Sequence, residues 1–286
     1  MRYEAPESLD AAVALLAGSK GEARVLAGGT DLLVQLRADM IEPALVVDVK
    51  RIKELCQIKA EKGGFRVGAA VSGAVLNEHP KFKTVWPGVA EAFDLIGSTQ
   101  IQGRASMGGN LCNASPAADS VPALIAAEAI ATVVGPKGSR DVPVEKIVTG
   151  PGKTSLKKGE IVASFLFPAR PKHSSDAYLR FIPRTEMDIA VVGVGVSLTL
   201  DGKGVCTAAR VSLGAVAPTP LLVADAAKAL IGTTLDDDAM AALAKAASAA
   251  CNPIDDKRGT IEYRIKVAGV LARRTAQIAL ERAREN

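Results

Sequence analysis

Residues 23–36 read ARVLAGGTDLLVQL, and the interpretation of this stretch decides the fold. Arg24 to Ala27 reads as a short strand, Gly28-Gly29-Thr30-Asp31 as a turn, and Leu32, Leu33 and Leu36 recur at helical spacing. Upstream, Ser8 is placed to cap a helix that carries Leu9, Val13 and Leu16 on one face and stops at Gly18. Downstream, Ala44 to Val49 is short, Val-rich and preceded by Pro43, the pattern of a buried strand. Helix, strand, glycine turn, helical turn and strand in that order is an α/β signature.

Working outward, Phe65 to Ala70 predicts a strand, Ser72 caps a helix through Leu76, and Pro87 opens a helix that closes at Gly97. Residues 97–122, GSTQIQGRASMGGNLCNASPAADSVP, contain hardly any large apolar side chain, which predicts a long functional loop. A helix over 121–127, strands over 130–134 and 161–167, and a turn at Gly135 to Gly138 complete this half. Pro168 to Asp176 is the linker candidate. Beyond it lie three strand-like runs, 177–182, 189–200 and 205–216, the last two joined through the hairpin signal Asp201-Gly202. Helices over 221–231, 236–251 and 261–284 follow, so an antiparallel sheet with helices packed on one face is expected.

A length of 286 residues favours two domains. The net charge of +4, with no long basic run, argues against a nucleic-acid binder. Aromatic residues make up 3% of the chain, with Trp86 the only tryptophan, so a planar ligand must be held by backbone and aliphatic groups. Cys56, Cys112, Cys206 and Cys251 are scattered without any C-x-x-C, which excludes a zinc ribbon or an iron–sulfur ligand run and suits a reducing compartment. His79 and His173 read as solvated loop residues. The N-terminal apolar run is broken by Glu4, Glu7 and Asp10, and no stretch has the length of a membrane span, so a cytoplasmic protein is expected.

The chemistry lies in two glycine segments. In Ala27-Gly28-Gly29-Thr30-Asp31 adjacent backbone N–H groups can meet an anion without an intervening side chain, and the following helical turn adds its dipole. Ser106-Met107-Gly108-Gly109-Asn110-Leu111 repeats the device and continues through Asn113, Ser115 and Asp119. Two such nests suit a pyrophosphate. Neither segment is a G-x-G-x-x-G and no P-loop occurs.

The pair AGGTDLL (27–33) and TQIQGRASMGGNLCNASPAAD (99–119) resembles the two flavin-binding loops of the FAD-binding medium subunit of the molybdenum hydroxylases, the group of xanthine dehydrogenase and aerobic carbon monoxide dehydrogenase. The resemblance covers essentially the whole chain. It implies an α+β protein: a two-subdomain FAD-binding domain of the vanillyl-alcohol oxidase type over 1–170 (subdomains 1–55 and 56–170) and a C-terminal α+β domain over 177–286. It also implies that Arg24, Val25, Leu26, Ala27, Gly28, Gly29, Thr30, Asp31 and Leu32 lie along FAD, with the glycines and Thr30 on the pyrophosphate. Ser106, Gly108, Gly109, Asn110, Asn113, Ser115 and Asp119 are implied on the second side, Ile161 and Val162 beside the flavin, and Arg180 near the cofactor. Family members usually read Ile-Arg-Asn where this chain has Ile101-Gln102-Gly103.

The implied function is an electron relay. A large subunit with a molybdenum cofactor oxidises the organic substrate, a small subunit passes electrons through two [2Fe–2S] clusters, and FAD in this chain delivers them to an external acceptor. The implied assembly is a dimer of heterotrimers. The alternative is a self-contained flavoenzyme similar to enolpyruvyl-UDP-N-acetylglucosamine reductase. No Ser or Tyr plus Glu constellation in the C-terminal segment supports it.

Overall fold

The computed structural model describes residues 1–286. A three-stranded parallel sheet opens the chain, with Leu45–Asp48 between Arg2–Glu4 and Ala23–Leu26. Helix Leu9–Gly18 starts at Ser8, whose Oγ accepts from Ala11 N at 3.3 Å, and buries Ala12, Val13 and Leu16 against Leu45 and Val47. The helical turn after the glycines is Leu32–Arg37. The order read from residues 8–49 is the order observed. Strand Arg2–Glu4 escaped the reading because three largely exposed residues show no periodicity.

The next unit is an antiparallel sheet in the order Ile58–Glu61, Gly64–Gly68, Ile161–Phe167, Ile130–Gly135, Gly138–Pro143. Short helices cover it, and the scarce aromatics are concentrated there: five of the six phenylalanines and Trp86 share one core. Phe82 meets Phe65 and Phe167 edge-on at centroid distances of 5.4 and 5.0 Å, the arrangement ring quadrupoles favour. His79 is not a solvated loop residue: its Nδ1 accepts from Phe82 N at 3.1 Å, so it caps helix Pro80–Val85. Strand Gly138–Pro143 was not anticipated, since an edge strand with four exposed residues in a row hides its alternation.

The expected loop over 97–122 is a correction. It contains helices Thr99–Gln102 and Met107–Asn113 and the start of Ser120–Ala126. Small residues are there because backbones touch: a Cβ on Gly108 would meet the Ala69 oxygen at 2.8 Å. The linker candidate is also shorter than expected, because Ser174–Phe181 is already a strand and Asp176 is buried. Asp176 accepts from Arg170 at 2.8 Å and from Val89 N at 3.2 Å, and Arg170 stacks over Trp86 at 3.8 Å.

The C-terminal sheet is antiparallel, Ser174–Phe181, Val192–Leu200, Cys206–Gly214 and Leu221–Leu222. Asp201 closes the predicted hairpin, its carboxylate accepting from Lys203 N at 2.8 Å and Val205 N at 2.9 Å. Helix Ile261–Glu285 lies on one face, and helix Asp237–Ala249 packs against it. The other face is covered too, by helix Ser120–Ala126, which corrects the one-face expectation. Glycines make room for it: Cβ atoms on Gly195 and Gly214 would lie 2.6 and 2.7 Å from Pro122. The helix read over 221–231 is reduced to Ala224–Lys228, because Leu221–Leu222 pairs with Ser212 and Leu213.

Candidate functional site

A candidate cleft runs between the two glycine segments. Strand Ala23–Leu26 delivers the chain to Gly28, which lies against the backbone of Arg104 so closely that a Cβ would be 1.8 Å from the Arg104 oxygen. Gly29 has φ +77°, a left-handed turn that glycine adopts without strain. The backbone N–H groups of Gly28, Gly29, Thr30, Asp31 and Leu32 donate to no backbone oxygen, and helix Leu32–Arg37 has no side-chain cap. Five neighbouring donors stand beside the positive end of a helical turn, an arrangement with the chemistry to receive an anion.

The second segment is built differently. Ser106 caps helix Met107–Asn113, its Oγ accepting from Gly109 N at 3.2 Å. Gly108 N donates to Ala69 O at 2.9 Å, and Asn110 N to Ser106 O at 2.9 Å. The glycine N–H groups that were read as a second nest are therefore already engaged inside the protein. What this wall offers is a flat backbone surface and the side chains of Ser106, Asn110 and Asn113. Asn110 Oδ1 accepts from Ser120 Oγ at 2.6 Å and Ser120 N at 3.3 Å, which leaves its amide nitrogen uncommitted.

Asn113 ties the walls together. It donates to Asp31 at 3.2 Å and accepts from Gln35 at 3.4 Å. Burial pushes the Asp31 carboxyl above its ordinary value. The third wall is aliphatic, with Ile161 and Val162 beside Ala69, Ala70 and Leu156, and no aromatic residue lines the cleft.

Fifteen of the nineteen predicted site residues line this cleft: Arg24, Val25, Ala27 to Leu32, Ser106, Gly108, Gly109, Asn110, Asn113, Ile161 and Val162. Four do not. Leu26 is buried beneath the turn, with its Cδ1 2.9 Å from where a Gly29 Cβ would stand. Ser115 accepts from Ala117 N at 3.3 Å in a local turn. Asp119 and Arg180 form an ion pair of 2.7 Å in which the Arg180 side chain is 4% exposed. Tyr178 donates to the other Asp119 oxygen at 3.0 Å. Burial pushes the Asp119 carboxyl up to about 6, against the opposing pull of Arg180 and Tyr178.

Sequence reasoning missed Gln35, Leu55, Ala69 and Ala70, among others, which reach the cleft from elements whose pattern speaks only of helix or core. Cys112 also lines it, and burial pushes its thiol up to about 12, which keeps it neutral. The departure at Gln102 is turned away, its side chain donating to Asp94 O at 2.6 Å.

Comparison with known proteins identifies the family. Residues 1–170 match the family described as FAD binding domain in molybdopterin dehydrogenase, and residues 177–279 match CO dehydrogenase flavoprotein C-terminal domain. The carbon monoxide dehydrogenase medium chain of Afipia carboxidovorans is 34% identical over 283 residues, 99% of this chain and 97% of that protein. A putative xanthine dehydrogenase FAD-binding subunit of Escherichia coli K12 is 31% identical, with 98% and 96% covered. Among solved structures, reconstituted CO dehydrogenase from Oligotropha carboxidovorans superposes with a TM-score of 0.94 at 33% identity, covering 99% of this chain and 98% of that one. With both glycine segments on one cleft and the match running through both halves, the chain belongs to the family of FAD-binding medium subunits of the molybdenum hydroxylases.

Proposed function

We propose that this cleft holds FAD with its pyrophosphate on the N–H row of Gly28 to Leu32, and that the chain relays electrons within a molybdenum hydroxylase complex. The carrying observation is that row of five donors without a backbone acceptor, at the mouth of a cleft whose other walls are glycine backbone and aliphatic side chains. The residues present fit the cofactor: amides for phosphate, hydroxyl and carboxamide groups for ribityl and ribose oxygens, and Ile161 and Val162 for the flanks of the ring.

The redox chemistry is the flavin's when bound, while the protein contributes binding, orientation and electrostatics. The N–H row opposes the phosphate charge. Ser106 Oγ accepts from Gly109, which leaves its own hydrogen free for a ligand oxygen. Asn113 holds the two walls at a fixed separation through Asp31 and Gln35. Ile161 and Val162 exclude water from the ring's flank.

Electrons come from the two [2Fe–2S] clusters of a small partner subunit and, before that, from a large subunit with the molybdenum cofactor, the whole forming a cytoplasmic dimer of heterotrimers. Residues 1–170 form the FAD-binding domain, in parts over 1–55 and 56–170, and 177–286 the second domain. Purification with its neighbours is expected to give one FAD per chain together with iron–sulfur and molybdenum subunits. The flavin is expected to be reduced by an organic substrate only when both partners are present. Reduction of the flavin in the isolated chain by a small organic substrate would overturn the relay and favour a self-contained flavoenzyme.

A further inference from the structure

Behind the first glycine segment, on residues that do not line the cleft, stands a charged chain. Tyr3 Oη donates to Asp48 Oδ2 at 2.6 Å. The other carboxylate oxygen, Oδ1, accepts from Lys50 Nζ at 2.8 Å and from Lys50 N at 3.0 Å. Lys50 Nζ also donates to the Ala27 carbonyl oxygen at 3.0 Å. Asp48 ends the central strand of the parallel sheet and Ala27 follows its neighbour, so the contact crosses from one strand end to the next.

That last bond has a directional consequence. A trans peptide is planar, with its C=O and N–H pointing in opposite directions. The chain has no cis peptide. Once Lys50 fixes the Ala27 carbonyl, the Gly28 N–H of the same unit is fixed pointing away from Lys50. Gly28 N–H is the first of the five donors without a backbone acceptor, and Ala27 and Gly28 both line the cleft while Lys50 does not. A positive charge thus sits directly behind the first peptide of the row. Asp48 holds the ammonium in place, and Tyr3 holds Asp48.

We propose that Lys50 is a positioning residue for the cofactor's pyrophosphate, aiming the Gly28 N–H through the Ala27 carbonyl and adding a cationic field behind the loop, with Asp48 and Tyr3 as its supports. This rests on the reading that the N–H row receives the pyrophosphate. Lys50 touches no cofactor atom. It acts through one peptide unit.

The test uses the full chain stripped of flavin and titrated with FAD at low and high ionic strength, following quenching of flavin fluorescence. Lys50→Met is expected to weaken FAD binding about tenfold at low salt, the size of one charge-assisted hydrogen bond. It is also expected to flatten the salt dependence, because the field of a cation behind the phosphate site is screened by ions. Lys50→Arg restores both. Unchanged affinity in Lys50→Met overturns the inference, and so does a loss that keeps the full salt dependence, which would mark a packing role. Gly29→Val serves as the control for the underlying reading. If it binds FAD normally, the pyrophosphate assignment falls and this inference with it, whereas loss in Gly29→Val with none in Lys50→Met overturns the Lys50 role alone.

Discussion

The two glycine pairs, Gly28-Gly29 and Gly108-Gly109, look alike in sequence and do opposite things with their backbones. At the first, a left-handed turn leaves five N–H groups unanswered, and the glycines let the loop press against Arg104. At the second, the glycines occupy the first turn of a capped helix, and their N–H groups are answered by Ser106 Oγ and Ala69 O. One pair creates donors and the other removes bulk. A nest and a bare helix face are thus two routes by which the same dipeptide brings backbone close to a ligand.

The sharpest way to break this contrast is Gly28→Val. A Cβ 1.8 Å from a backbone oxygen cannot be absorbed by a side-chain shift, so a loss of at least about 3 kcal/mol in urea unfolding is expected, together with loss of flavin. Near-native stability in that variant would mean the loop is not locked on Arg104. Gly109→Val separates the two effects: its Cβ meets only Ser106 Oγ, at 3.0 Å, so the fold should survive while FAD binding is blocked, and normal flavin stoichiometry would remove this wall from the cofactor site. Ser106→Ala should cost about 1 kcal/mol, the worth of an N-cap, measured by thermal unfolding without flavin. No loss there would show the helix start to be held by packing alone.

The smallest effect concerns pH. Burial alone would raise the Asp48 carboxyl, but the bonds from Lys50 and Tyr3 outweigh it and hold it below the ordinary value. Such a group stabilises the folded chain above its unfolded value of about 3.9 and loses that contribution as pH falls through its folded value. Asp48→Asn should therefore flatten the acid limb of a melting-temperature profile below about pH 4, and an unchanged limb would show that Asp48 is no better held than a free carboxylate.

The first glycine segment was more legible than the second. Gly28, Gly29 and Thr30 announce themselves because nothing but a close approach or a turn requires two glycines after an apolar strand. Ser106 and Asn110 were legible as polar residues, but their helix was not, because MGGNLCN has neither helix propensity nor an apolar stripe and is held by tertiary packing on Ala69 and Ser72. Gln35 and Leu55 reach the cleft through the way strands and turns are stacked, which no local pattern encodes. Arg180 illustrates the same limit: alternation in a strand says which face a residue takes, and only the neighbouring helix turns that face from solvent into an ion pair with Asp119.

Helix Ser120–Ala126, buried at all seven positions, has a consequence for how the chain is made. Its cover on one side is the pair of strands Val192–Leu200 and Cys206–Gly214, through Gly195 and Gly214. A ribosome must therefore add roughly seventy to ninety further residues before that face can be shielded, which takes several seconds at ordinary elongation rates. During that interval an apolar helix face is open to chaperones.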